Sequence, residues 1–227
     1  MLYSNTMNPN RLPERINKVI DKTLTDKRLA GVVIKVALDG QLIYSRAAGY
    51  ASRELDQPMR EDALFRLASV SKPYTSTAAL ILVAQGRLKL DDRVDRWLPG
   101  FQPRLENGET PAMTVRHLMT HTAGLTYRFF QEEGGSYEQA GVSDGMDQSG
   151  ITLEENLKRL ASVPLLYHPG TQWRYSIATD VLGAVIANVS GKTLSETVRS
   201  LITRPPRSDG YQLRCRGPAA PGLSLCR

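Results

Sequence analysis

Apolar residues repeat at helical spacing near the start of the chain and then occur in two shorter, β-rich runs. The helical spacing predicts an amphipathic helix over 12–26. The runs 31–38 and 41–48 predict strands, and Asp39-Gly40 between them is the strongest short-range signal for a β-hairpin. We therefore expect an α/β lobe in which the helix covers one face of an antiparallel sheet.

Strand patterns largely disappear between Asp62 and Ser190, where apolar residues keep helical spacing. This change predicts an all-helical lobe. Its predicted helices cover 69–85, 90–99, 114–121, 152–161 and 176–189. The segment 124–150 is rich in glycine and acidic residues and has no periodicity, so we expect a long loop, and such loops are usually functional or mobile.

The chain changes again after the helical lobe. A capping box at Thr193 begins one more helix, and from Arg204 onward the sequence is rich in arginine and proline without periodicity. The pattern therefore predicts an N-terminal helix and hairpin, a helical lobe, a helix that returns to the α/β lobe, and a basic tail. These four parts cover 1–61, 62–190, 191–203 and 204–227.

Composition and charge change this picture little. The net charge of the 227-residue chain is +6, and the five arginines and one aspartate of the tail supply +4 of it, so we expect no nucleic-acid partner. No run approaches the roughly 20 apolar residues of a membrane span, and the N-terminus lacks a signal-peptide pattern. We therefore expect a cytoplasmic protein without a membrane partner. Both cysteines, Cys215 and Cys226, lie in the tail.

The candidate chemistry begins with a serine and a lysine three residues apart. If Ser69 opens a helix, Lys72 lies one turn further along the same face, with its amine beside the hydroxyl. This is the arrangement of an activated nucleophile. The pair alone is weak evidence, because in a chain with this many serines and lysines it arises by chance about half of the time.

A tyrosine could take part in the same proton transfer. A lysine is a useful base only when burial or a neighbouring group lowers its pKa, and a tyrosine that reaches the same place can relay the proton of the serine. Tyr175 follows a turn at Pro169-Gly170 and precedes an apolar helix. From the residues alone, Tyr175 is equally well a buried tyrosine with a satisfied hydroxyl.

Two motif-like features carry less weight. His117 and His121 are four residues apart, but Leu118 stands where a zinc hydrolase has glutamate. We interpret the two histidines as a satisfied core or loop pair and expect no metal site. Gly-Lys-Thr at 191–193 resembles the end of a phosphate-binding loop, but the glycine required five residues earlier is Ile186, so a helix cap is the better interpretation.

Four segments of the chain combine these features in a recognisable order: 65–72, 120–125, 169–175 and 180–183. From about Arg11 to Thr203, the order and spacing resemble the serine β-lactamase and penicillin-binding-protein superfamily. The resemblance is narrower to its class C-like esterases, the family VIII carboxylesterases. It implies an α/β + α architecture of the β-lactamase/transpeptidase-like kind, with an antiparallel sheet lobe and an all-helical lobe.

The resemblance also implies a role for each candidate residue. Ser69 would be the nucleophile, Lys72 its proton-accepting neighbour and Tyr175 the second base. The implied reaction is hydrolysis of a small carboxylic ester through an acyl-enzyme, without a metal or cofactor. Related β-lactamases usually have asparagine at the end of the tyrosine triplet, whereas this chain has Tyr175-Ser176-Ile177. The difference favours esters, and a β-lactamase or DD-peptidase remains the alternative.

The family continues well beyond the length of this chain. Its later residues complete the sheet and carry a third motif, Lys-Thr-Gly or an equivalent, on a strand that supplies one of two oxyanion donors. No such element follows Thr203. We therefore expect the C-terminal part of the sheet lobe to be missing and apolar faces of the first helix and hairpin to be uncovered. A shifted or truncated reading frame would explain the tail. A non-enzymatic remnant is the alternative of another class, and the oligomeric state stays open.

Overall fold

The computed structural model describes residues 11–147 and 150–204. The chain forms two compact units, divided between Arg66 and Leu67. The first contains the predicted helix and hairpin, and the second contains the helices of the predicted all-helical lobe. All of the predicted basic tail except Arg204 lies outside the described residues.

The first unit consists of one helix and a small antiparallel sheet. Helix α1 spans Leu12–Thr25, and the strands are β1 (Gly31–Leu38), β2 (Gln41–Ser52) and β3 (Gln57–Pro58), in the order β1-β2-β3. The predicted helix and hairpin are confirmed. The sequence missed β3, because two residues ending in proline carry no strand periodicity.

The hairpin turn has the conformation that its sequence predicts. Asp39 and Gly40 both have positive φ, 49° and 76°, as a two-residue turn of type I′ requires. Several apolar side chains in this unit are largely exposed, including Val19 of α1 at 66% and Leu42 of β2 at 61%. These apolar side chains therefore lie on the surface of the first unit.

The second unit consists of helices joined by loops, with one isolated β-bridge between Arg93 and Thr114 among its described residues. Its α-helices are α2 (Lys72–Ala84), α3 (Val94–Trp97), α4 (Val115–Met119), α5 (Ser136–Gln139), α6 (Leu153–Ser162), α7 (Ala178–Ser190) and α8 (Leu194–Val198). Short 3₁₀ turns span Ala68–Ser71 and Arg128–Phe130, and a π-helical turn spans Arg199–Thr203. The predicted loop 124–150 therefore contains two short helical turns.

Helix α7 is the centre of this unit. Every residue from 178 to 186 is buried, and α2, α3, α4, α6 and α8 all contact this helix. A helix that is apolar on all sides must be surrounded in this way. The core therefore lies around α7, and α2, which directly follows Ser69, packs against it.

The predicted helix ends are largely confirmed by their capping contacts. The side chains of Thr114, Thr152 and Thr193 each accept a backbone N–H in the first turn of α4, α6 and α8. Gly191 ends α7 in the left-handed conformation, with φ 68°. The Gly-Lys-Thr segment is therefore a pair of helix caps, as the sequence predicts.

The helix over 191–203 differs from its predicted place. Leu194 and Val198 are buried in the core of the second unit, where α8 contacts α2 and α7. The segment was assigned to the α/β lobe, but its apolar face is one of the surfaces that cover α7. Among the described residues, no helix is long and apolar enough to cross a membrane.

Candidate active site

Ser69 lies on the 3₁₀ turn Ala68–Ser71, and α2 begins at Lys72. The prediction that Ser69 opens the α-helix is therefore wrong by one turn. Residues three apart eclipse each other on a 3₁₀ turn, so the tighter turn aligns the two side chains directly. The Nζ atom of Lys72 donates a hydrogen bond to the Oγ atom of Ser69 at 3.3 Å. Pro73 lies in the first turn of α2, where its missing N–H costs nothing.

The backbone immediately before Ser69 is strained. Ala68 has φ 44°, in the left-handed region that residues with a Cβ rarely adopt. Such a residue costs about 1–2 kcal/mol and persists only where the surrounding structure holds it. Ser69 itself is exposed to solvent, as a nucleophile must be to meet a substrate.

Tyr175 reaches the same place from the segment that precedes α7. Two contacts fix this segment: the Arg174 N–H donates to the His121 carbonyl at 2.9 Å, and Arg174 Nε donates to Thr126 Oγ1 at 2.9 Å. Burial raises the pKa of the Tyr175 phenol, but hydrogen bonds from Lys72 and Ser69 and the charge of Lys72 outweigh it and lower the pKa overall. The phenol therefore loses its proton more readily than an isolated tyrosine, and the resulting phenolate is the form that can accept a proton.

Two tyrosine rings surround the amine of Lys72. Its Nζ atom lies 4.9 Å from the ring centroid of Tyr175 and 5.4 Å from that of Tyr127. The two ring centroids are 5.5 Å apart. A cation at these distances is attracted to the electron-rich faces of the rings. The amine is therefore held between Ser69 and the two rings.

Tyr127 forms the inner wall of the site. The residue is buried, and its ring stacks on Phe129 with a centroid distance of 4.8 Å. Burial raises the pKa of the Tyr127 phenol, and the charge of Asp180 adds to the effect. The carboxylate of Asp144 holds the turn that follows, because it accepts the Arg128 and Phe129 N–H groups at 3.0 and 3.2 Å.

Comparison with known proteins identifies the family. The Beta-lactamase family model matches residues 16–212. This chain belongs to the beta-lactamase family. The match runs past Thr203, where the resemblance in the sequence was expected to end, and family membership confirms the predicted β-lactamase/transpeptidase-like fold.

Relatives within the beta-lactamase family include esterases. Esterase EstB from Burkholderia gladioli is 50% identical over 194 residues, which are 86% of this chain and 50% of EstB. Penicillin-binding protein 4* from Bacillus subtilis is 32% identical over 187 residues, 81% of this chain and 38% of that protein. The structure of EstCE1, a hydrolase with promiscuous acyltransferase activity, matches with a TM-score of 0.84 at 44% identity. That match covers 88% of this chain and 52% of EstCE1, so the chain spans about half the length of EstB and of EstCE1.

The three site residues predicted for this beta-lactamase family member lie close to one another in the structure. Ser69, Lys72 and Tyr175 meet at one point, although Tyr175 is more than a hundred residues away from the other two in sequence. The sequence missed Tyr127, for which no motif or spacing is a signal. Only the contacts of the Tyr127 ring with Lys72 and Tyr175 in the structure assign this residue to the candidate site.

The two histidines are a satisfied pair, as predicted. The Nδ1 atom of His117 accepts the Thr114 N–H at 3.3 Å, and the Nδ1 atom of His121 accepts the Ser176 N–H at 3.3 Å. Within the residues that the structure describes, no group of histidine, cysteine, aspartate and glutamate side chains could hold a metal ion.

Proposed function

We propose that the chain carries the nucleophile and the proton-transfer pair of a serine carboxylesterase. The observation that carries the proposal is the meeting of the Ser69 hydroxyl with the Lys72 amine, 3.3 Å away, beside the phenol of Tyr175. The names of EstB and EstCE1, an esterase and a hydrolase, support this reaction class. The proposed substrate is a small carboxylic ester.

The proposed reaction proceeds in two steps. The Oγ atom of Ser69 attacks the ester carbonyl, and its proton passes to the Lys72/Tyr175 pair. Because the pKa of the phenol is lowered, Tyr175 more readily forms a phenolate, which the Lys72 ammonium stabilises and which accepts the Ser69 proton to become the neutral phenol. The tetrahedral intermediate then expels the alcohol, which leaves with that proton, and an acyl-enzyme forms on Ser69. Water, activated by the same pair, releases the acid.

The third residue of the tyrosine triplet favours esters over β-lactams. In the related β-lactamases this position is usually asparagine, which is polar. Here it is Ile177, which is completely buried and belongs to the apolar core. A side chain within the core does not face a substrate at Ser69. We therefore place β-lactam or DD-peptide hydrolysis second.

The test combines turnover and covalent labelling. We expect the chain to hydrolyse short-chain p-nitrophenyl esters and to react stoichiometrically with a phosphonate ester probe, with Ser69→Ala abolishing both. Ser71→Ala is the matched control. The Ser71 hydroxyl is buried and has no hydrogen-bond partner among the described residues, so its removal should leave both signals intact.

Three outcomes would overturn the assignment. Undiminished turnover or labelling in Ser69→Ala would exclude Ser69 as the nucleophile. A folded chain, recognised by a cooperative thermal transition, that the phosphonate does not label would favour the non-enzymatic alternative. Acylation by a fluorescent penicillin, with p-nitrophenyl esters untouched, would favour a β-lactamase or DD-peptidase.

A further inference from the structure

His121 contacts the Tyr175 segment on three sides. Its carbonyl accepts the Arg174 N–H at 2.9 Å, and its Nδ1 atom accepts the Ser176 N–H at 3.3 Å. Its ring lies against the ring of Tyr175, with a centroid distance of 4.9 Å and an interplanar angle of 49°. One residue therefore holds both neighbours of Tyr175 in the chain and the side chain of Tyr175 as well.

The conformation of His121 is itself unusual. It has φ 56°, two residues after α4 ends at Met119. Histidine is one of the few side chains that occupy this left-handed region with some frequency. A strained residue at a candidate site persists only where its surroundings fix it, and here the contacts with Arg174, Tyr175 and Ser176 do so.

The hydrogen bonds also define the charge and tautomer of the ring. The Nδ1 atom faces two groups of Ser176, the N–H at 3.3 Å and the Oγ atom at 3.4 Å. Because the N–H can only donate, we assign Nδ1 as the acceptor without a proton, which places the proton of the neutral imidazole on Nε2. Burial lowers the pKa of His121, and the nearby charge of Lys72 lowers it further. A second proton would place a donor against the Ser176 N–H and a second positive charge beside Lys72.

We propose that His121 is a positioning residue that fixes Tyr175 against Lys72 and Ser69. This inference rests on the proposed function of those three residues. His121 is hydrogen-bonded to the backbone on either side of the tyrosine, so it acts through Tyr175. Its ring also lies 6.5 Å from the exposed Trp173, which it meets edge to face.

The test compares two substitutions of His121 with one of His117. His121→Asn keeps a side-chain oxygen close to the position of Nδ1, and asparagine tolerates positive φ. His121→Phe keeps a ring but removes the acceptor. His117→Phe is the matched control for His121→Phe, because the Nδ1 atom of His117 also accepts a backbone N–H at 3.3 Å, from Thr114 at the start of α4.

The rate of phosphonate labelling distinguishes positioning from packing. A displacement of about 1 Å can cost about 100-fold in rate, so we expect His121→Phe to label up to about 100-fold more slowly at saturating probe, with little change in probe affinity. His121→Asn should recover part of the rate. His117→Phe should lower the unfolding temperature and leave the rate unchanged. Equal rates in His121→Phe and His117→Phe would overturn the inference.

Two measurements do not depend on activity. Long-range nitrogen NMR of labelled histidine should show Nδ1 of His121 without a proton in the unmodified chain. NMR titration of carbon-labelled tyrosine should show the pKa of Tyr175 rising in His121→Phe, because the phenol loses its alignment with Lys72 and Ser69. A protonated Nδ1, or an unchanged Tyr175 titration, would refute positioning even if Ser69 were never labelled. Absent labelling alone would instead refute the proposed function.

Discussion

Replacing Tyr175 by phenylalanine removes one oxygen atom from the candidate site and keeps the ring. The ring retains its partners His121 and Tyr127, whose centroids lie 4.9 and 5.5 Å away. The lost phenol is the group whose pKa Lys72 and Ser69 lower. General acid–base catalysis contributes about 100- to 10,000-fold, so we expect acylation of Ser69 to slow by that factor, about 2.7–5.5 kcal/mol in activation free energy.

Tyr137→Phe also removes one tyrosine hydroxyl, but we expect it to change the free energy of unfolding and not the labelling rate. The hydroxyl of Tyr137 is buried in the core and accepts the Thr126 N–H at 3.2 Å. Its removal leaves a buried amide without that partner, which costs about 1–3 kcal/mol of unfolding free energy. We expect the folded protein to keep its labelling rate. Tyr175→Phe should instead slow labelling and leave the free energy of unfolding unchanged, because its half-buried ring stays in place and contributes the same packing.

Two measurements on each variant separate these effects. The rate of covalent labelling by a phosphonate ester in excess reports acylation, and urea unfolding reports the free energy of unfolding. Labelling of Tyr175→Phe at the rate of the unmodified chain would refute Tyr175 as the proton acceptor. If instead both variants lost rate in proportion to stability, the rate loss would reflect packing of the unit rather than the phenol.

Three further predictions address charge and packing. In Lys72→Met, the pKa of Tyr175 should rise, because burial remains while the hydrogen bond and the charge of Lys72 are lost; titration of tyrosinate absorbance measures it. Burial raises the pKa of Asp144 above its ordinary 3.8. The protonated carboxyl therefore contributes its full stability below pH 3.8, and this contribution is lost as the pH rises through the raised pKa. The unfolding free energy of the unmodified chain should thus fall relative to Asp144→Asn from acid to neutral pH, and a constant difference would contradict this. Leu182→Ala, at a fully buried position in α7, should cost about 2–5 kcal/mol by urea unfolding without changing the labelling rate of the folded fraction.

Local patterns in the sequence predicted the elements whose stability is local. The Asp39-Gly40 turn fixes the register of its hairpin through two positive φ angles, so the hairpin can be read from a few residues. The capping threonines likewise mark where helices begin, because each satisfies an amide within its own first turn. Neither feature depends on distant parts of the chain.

Other elements depend on contacts that no local pattern contains. Strand β3 is two residues long and exists only through its pairing with β2. The turn at Arg128–Phe130 is capped by Asp144, which lies 14 residues after Phe130 within the same glycine-rich segment. Helix α8 was expected to return to the α/β lobe, but Leu194 and Val198 pack in the core around α7, and an amphipathic pattern alone does not indicate which surface it covers.

In the candidate site, too, some features depend on neighbouring residues and others on contacts between distant parts of the chain. The spacing of Ser69 and Lys72 is local, and the 3₁₀ turn that aligns them begins at the strained Ala68. Tyr175 and Tyr127 reach the amine only because α7 and the segment before it are fixed by the core. The pair alone was a chance-level match, and the two rings around the ammonium distinguish it from other serine–lysine pairs. A site of this kind should therefore fail when its distant tyrosine is displaced, even though the local serine–lysine pair remains intact.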